Sequence, residues 1–156
     1  MTPSNLGNYY EAFETGAVIK HQLSKTIFES DNNLFSLLTM NHHPVHLNTD
    51  YCKDEKYGTI LVVGTLVFSL VVGITVPDIS GKAIANLNYE NIDHLAPVFI
   101  GDTIYAQTEI LEKRDSRSNL AAGIIKVETI AYNQHDKPVL RFRRNVLIKK
   151  QPNAGK

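Results

Sequence analysis

The sequence predicts an α+β fold, a single antiparallel sheet wrapped around one central apolar helix, and three observations carry that reading. The stretch Thr59–Val76 holds no charged side chain over 18 residues. From Ala83 onward the pattern turns strand-like and stays so to Lys149, with polar turn segments at Asp115–Asn119 and Gln134–Lys137. The length of 156 residues gives room for one domain with a sizeable core (about residues 20–149) and requires no second. A helix that apolar must therefore be covered by the sheet, because nothing else in the chain could cover it.

Each element has its own signal. Met1–Tyr10 and the tail Gln151–Lys156 are polar and expected to be frayed. His21–Phe28 alternates loosely and reads as a short first strand. Ser30 or Asp31 can cap a helix running to Thr39, with Leu34, Phe35, Leu37 and Leu38 as its apolar face. Asn48 is an N-cap candidate for a short polar helix from Thr49 to about Lys56, where Asp50 suits the positive helix end. After Gly58 an extended stretch leads into the central helix, expected from about Gly64 to Ile74 and closed off by Pro77. Strands follow at Ala83–Ile92, Thr103–Arg114, Leu120–Asn133 and Lys137–Lys149. In the last, Val139, Arg141, Arg143 and Asn145 alternate with Leu140, Phe142, Arg144 and Val146, which implies one packed face and one partly wet. An open sheet of this kind has exposed edges, and joining two such sheets edge to edge protects one of them. A homodimer is the expectation.

Composition excludes several functions. Lys plus Arg and Asp plus Glu number 16 each, so formal net charge is zero and no basic face is expected for nucleic acid. The lone Cys52 rules out an internal disulfide and a multi-cysteine zinc site, which suits a reducing, cytoplasmic setting. Met1–Tyr10 shows no secretory leader pattern. The 18 uncharged residues approach the lower limit for a membrane span, but Gly64, Ser69 and Gly73 within them and Pro77-Asp78 just after fit a buried helix better. No membrane partner is expected.

The chemistry concentrates in Asn41-His42-His43-Pro44-Val45-His46, which places three of the six histidines within five residues. Imidazole, with an unperturbed pKa of about 6.5, gives and takes protons near neutrality, and a proline just past a helix fixes the direction of the backbone that carries it. A metal site from His42, His43 and His46 is not expected: no clear acidic partner accompanies them, and Pro44 interrupts any helix between them. His42 reads as a solvent-facing or structural residue. His94 and His135 fall in expected turn regions and read as solvated.

Thr39-Met40-Asn41-His42-His43-Pro44-Val45-His46 resembles the hydratase motif, approximately Asp-x-Asn-Pro-x-His, of MaoC-like dehydratases and R-specific enoyl-CoA hydratases, a family of hot-dog fold. Three further features match in order. Tyr51–Gly58 resembles the family's short helix after the motif, Val63-Gly64-Thr65-Leu66-Val67-Phe68-Ser69 the start of its central helix, and Pro97-Val98-Phe99-Ile100-Gly101-Asp102-Thr103 its strand-start signature. Met-Asn-His-His-Pro with a later Ala-Asn-Leu looks closest to mesaconyl-CoA-hydratase-like proteins.

The resemblance implies reversible addition of water to the double bond of a short enoyl-CoA thioester, including a branched dicarboxylic one. Coenzyme A would enter as part of the substrate, with no separate cofactor. Such chemistry needs a base for the water, an acid for Cα and an oxyanion hole for the thioester oxygen. By the motif, His46 takes the catalytic histidine position, Gly64 the backbone N–H that holds the thioester oxygen, and Ser69 a supporting hydroxyl. Two departures stand out. The family's catalytic Asp is Asn41 here, and its Asn is His43. A neutral amide cannot serve as general base, although it can orient a water. Three readings stay open: His46 alone moves the protons, His43 takes the carboxylate's part, or the chain no longer hydrates. The histidine that often precedes the helix glycine is also replaced, by Val63.

Arg141, Arg143, Arg144, Lys149 and Lys150 read as strand-surface charge, with contact to the CoA phosphates as the alternative. Tyr89, with Asn86 and Asn88, belongs either to core packing or to selection of a polar acyl group. Two other functions remain as alternatives. One is a non-catalytic acyl-thioester-binding protein. The other is a thioesterase, against which the lack of an acidic residue in Thr59–Val76 argues.

Overall fold

The computed structural model describes residues 6–152. The fraying expected of Met1–Asn5 and Asn153–Lys156 lies outside the described residues. After a single 3-10 turn, Tyr10–Ala12, come β1 (Val18–Lys20), β2 (Lys25–Thr26), α1 (Glu29–Leu38), α2 (Pro44–Leu47), α3 (Thr49–Cys52) and α4 (Gly64–Ile74). A π-helical turn, Val76–Ser80, then leads into β3 (Ala83–His94), β4 (Thr103–Asp115), β5 (Ala122–Tyr132) and β6 (Pro138–Lys149). The sheet is antiparallel, in the order β1-β4-β5-β6-β3, with β2 also paired to β4.

The α+β fold is the predicted one, and the long strands fall close to where period-2 patterning puts them. In β5 the inward positions Ile125, Val127, Thr129 and Ala131 are buried, while their neighbours are half-buried. α4 has the expected limits. Its Val67, Val71 and Ile74 share one face and pack on Ile104, Ala106, Ala131, Leu140 and Phe142 of the sheet. On the opposite side Thr65, Ser69 and Gly73 form an exposed stripe, so the sheet curls around the helix without closing over it. Tyr10, Phe13 and Ile79 cover the rest of the concave face, against Ile110, Ile125, Val127, Val146 and Ile148. Residues 8–13 are therefore not frayed. The Tyr10 ring lies flat on Gly123, where an added methyl would come within 2.3 Å of it, and Asn8 Nδ2 donates to the Asp78 carbonyl at 3.1 Å.

The expected strand His21–Phe28 is replaced by two fragments. Five steps from Lys20 to Lys25 face only three from Gln107 to Ile104, so the ladder cannot run through. At that break His21 turns inward and is 6% exposed. Its Nδ1 meets Asp78 Oδ2 at 2.7 Å, its Nε2 meets Thr108 Oγ1 at 2.8 Å, and Thr108 passes the chain on to Thr129 Oγ1 at 2.8 Å. This polar line crosses the seam between the two apolar clusters with each group bonded, as burial requires.

α1 corrects a second expectation. It starts at Glu29, so the expected N-cap candidates Ser30 and Asp31 lie inside its first turn, where Asp31 Oδ2 accepts the Phe28 N–H at 2.9 Å and satisfies one donor at the helix start. The side facing the body of the protein, however, is Asn32 and Ser36, both fully buried, whereas Leu34, Leu37, Leu38 and Met40 are exposed. The helix after Asn48 is also shorter than read. Asn48 Oδ1 accepts from Asp50 N and Tyr51 N, both at 3.0 Å, but the helix ends at Cys52. Among the described residues no helix is long and apolar enough to cross a membrane.

Candidate active site

The site is built where three short segments meet beside the start of α4. Met40, with φ of 59°, ends α1 in the left-handed region, and the chain turns there into the histidine segment. Pro44 then opens α2 at a position where its missing N–H costs nothing. His43 caps that helix, its Nδ1 accepting the Val45 N–H at 3.2 Å. His46 stands one turn later. Its Nδ1 lies 2.7 Å from the Leu61 carbonyl oxygen. A carbonyl only accepts, so the proton of the neutral ring sits on Nδ1 and Nε2 remains a lone-pair acceptor. Nε2 has no partner among the described residues.

Residues 61–63 run between this segment and the β3–β4 connection. Leu61 N donates to Val45 O at 3.1 Å and Val62 N to Val98 O at 2.9 Å. One side chain then locks the helix start to the histidine. Asn32, 1% exposed, donates from Nδ2 to the His46 carbonyl at 3.0 Å and accepts the Val63 N–H on Oδ1 at 2.9 Å. Residue-type reading had not singled Asn32 out, since an asparagine inside a helix announces nothing until its neighbours are known.

His46, Gly64 and His94 line a single cavity of about 340 Å³, with apolar walls that include Leu61, Val67, Leu95 and Val98. The Gly64 and Thr65 amides, at the positive end of α4, meet no acceptor among the described residues. Among the described residues no carboxylate lines the cavity. His94 is exposed, as the sequence suggests, but it stands at the end of a strand rather than in a turn. It ends β3 opposite Leu140, and its ring rests on Gly64: an added methyl there would lie 2.9 Å from Cε1 and 3.0 Å from Nε2. A side chain at position 64 would require that imidazole to move.

The structure brings His46 and Gly64 together. Asn41 is half-buried, its backbone N–H bonded to Ser36 O at 3.0 Å, and it is not among the cavity-lining residues. His43 is exposed and contacts His46 edge-to-face, with ring centres 6.3 Å apart. Ser69 belongs to the exposed stripe of α4. Tyr89 packs edge-on against Phe68 at 4.9 Å between ring centres and hydrogen-bonds Asn86, away from the cavity lining. Of the basic residues, Arg141 pairs with Asp93 at 2.9 Å, Arg143 with Glu128 at 2.7 Å and Lys150 with Asp115 at 2.8 Å. Arg144 is no surface charge. It is 1% exposed, bonded to Thr75 Oγ1 at 2.7 Å and Asn86 Oδ1 at 3.3 Å, and burial pulls its guanidinium below its ordinary value.

The sequence pattern of the MaoC like domain matches residues 11–133. The chain is 34% identical over 152 residues to the beta-methylmalyl-CoA dehydratase of Chloroflexus aurantiacus, spanning 97% of this chain and 43% of that protein. It is 32% identical over 152 residues to the mesaconyl-CoA hydratase of Cereibacter sphaeroides, spanning 97% of this chain and 44% of that protein. The chain thus covers less than half the length of these two relatives. Its fold matches that of a Mycobacterium tuberculosis protein with a double hot-dog fold at a TM-score of 0.87 and 21% identity, over 96% of this chain and 46% of that one. The sheet and central helix described above form one hot-dog unit.

Asn32→Ala leaves the His46 carbonyl and the Val63 N–H buried without their partner. Urea unfolding is expected to show a loss of about 1–3 kcal/mol. An unchanged midpoint would mean that the amide does not hold these segments together.

Proposed function

The chain belongs to the MaoC-like domain family, and we propose that it is a hydratase or dehydratase acting reversibly on a short enoyl-CoA thioester, an EC 4.2.1 type of lyase. The observation that carries this reading is the convergence of an unpaired imidazole nitrogen and an unpaired helix-start amide on one apolar-walled cavity. His46 Nε2 takes a proton from water as the water oxygen bonds to Cβ. The electron pair of the double bond moves toward the thioester, whose oxygen gains charge and is held by the Gly64 N–H, with the α4 dipole adding to the field. The names of the two relatives support an acyl group that is branched and dicarboxylic. The reaction needs no cofactor beyond the CoA of the substrate. Thr59–Val76 carries no acidic residue of the kind that hot-dog thioesterases often use on or near the central helix, so hydration is preferred to hydrolysis.

We place the protein in the cytoplasm, where the single thiol, Cys52, buried and unpaired, stays reduced. We also propose a homodimer joined along β3. That strand ends the sheet, and Ile84, Leu87, Tyr89, Ile92 and Leu95 on it and just past it are exposed, as is the small-residue stripe of α4.

A panel of enoyl-CoA thioesters, including crotonyl-CoA and mesaconyl-CoA, is expected to lose its conjugated absorbance with the wild-type protein. His46→Ala should lower kcat by about 10²–10⁴-fold with its melting temperature kept. Full turnover by that variant would take His46 out of the reaction. Sedimentation is expected to give the mass of two chains, and a monomer at working concentration would refute the β3 interface.

A further inference from the structure

Hydration leaves one proton transfer without an agent. His46 activates the water, Gly64 holds the oxygen, and the new C–H bond at Cα still needs a donor. Among the described residues no carboxylate lines the cavity, and Asn41 is not in its wall. Of the histidines, His21 has both ring nitrogens committed to Asp78 and Thr108. His43 uses Nδ1 as a helix cap, and His42 and His135 do not line the cavity. His94 does, and neither of its nitrogens has a partner among the described residues. Its backbone is fixed, since it ends β3 opposite Leu140 and the next amide, Leu95 N–H, donates to Val139 O at 2.9 Å. Its ring stands where a Gly64 side chain would begin, an added Cβ lying 2.9 Å from Cε1 and 3.0 Å from Nε2. A thioester oxygen bonded to the Gly64 amide would put the substrate's Cα, two bonds from that oxygen, beside the same ring.

We propose that His94 is a catalytic residue, the proton donor to Cα in hydration and the base at Cα in dehydration. This rests on the hydratase reading of the site. In the forward direction the water proton passes to His46 Nε2 while the C–O bond forms at Cβ. The π pair becomes the Cα–C1 bond of an enolate whose charge lies on the thioester oxygen. The His94 imidazolium then releases its proton to Cα, the enolate pair forms the C–H bond, and the carbonyl returns. His46 ends protonated and His94 neutral, and one proton carried through water in the cavity resets both. A cationic ring beside Gly64 also faces the charge that builds on the oxygen. On this assignment two imidazoles divide the acid and base roles, and the chain needs no carboxylate at position 41.

Two variants of the full-length protein test the assignment. His94→Phe keeps a ring on Gly64 and removes both nitrogens. Its kcat is expected to fall by about 10²–10⁴-fold, with KM changed by only a few-fold and the melting temperature kept. His94→Ala opens the space, and added imidazole is expected to restore part of its kcat, which a packing role would not allow. Wild-type kcat in His94→Phe overturns the proposal. So does loss of activity in both variants with no recovery of His94→Ala in imidazole, since that assigns the ring to packing. If the wild-type protein hydrates no thioester of the panel, the hydratase reading itself fails and takes this assignment with it.

Discussion

The carboxamide of Asn32 bridges two backbone groups on separate segments, the carbonyl of His46 and the N–H of Val63. His46 lies in α2 and Val63 just before α4, beside the cavity, where a buried polar group without a partner costs about 1–3 kcal/mol. Once this bridge is made, much of the surrounding geometry follows. His46 comes to lie against residue 61, where its ring donates to the Leu61 carbonyl, and Gly64 begins α4 one residue beyond the bonded Val63. α1 must turn its polar side inward to make the bridge, which leaves Leu34, Leu37 and Leu38 facing outward.

The cavity formed around this bridge has a simple electrostatic character. Its walls are apolar, its charge-stabilising element is the start of α4, and among the described residues its titratable lining is two histidines and Tyr57. Acidic and basic residues nearby on the sheet are spent on one another, as in the Arg141–Asp93 and Arg143–Glu128 pairs. A site of this kind suits a substrate that arrives neutral at its reacting carbons and gains charge only as the bond forms, since fixed dipoles then act where the charge appears. The glycine at the helix start contributes twice, by leaving its N–H accessible and by leaving room for the His94 ring.

The sheet, the limits of α4 and the cap at Asn48 were legible in the sequence because each depends on local pattern: period-2 alternation, a charge-free run, or an oxygen at the right offset. The histidine motif was legible for the same reason. What could not be read depends on partners far away in the chain. The apolar stripe of α1 looks like a core face, and only the contact of Asn32 with residues 46 and 63 shows that the other side is buried. His94 looks like a turn residue until β3 is seen to carry it onto Gly64, 30 positions earlier. Arg144 sits in an alternating strand among surface charges, yet the pleat turns it under α4 to Thr75. The residue type at position 41 departs from the family motif, whereas the cavity wall includes His46, Gly64 and His94 and not Asn41.

The central claim is that an acyl thioester sits in this cavity with its oxygen on the start of α4 and its Cβ toward His46. A crystal structure with a 3-hydroxyacyl-CoA product bound tests it directly. The predicted result places the thioester oxygen about 3 Å from the Gly64 nitrogen and the Cβ hydroxyl at hydrogen-bond distance from His46 Nε2. A thioester bound with its oxygen away from Gly64, or an acyl group outside this cavity, would contradict it.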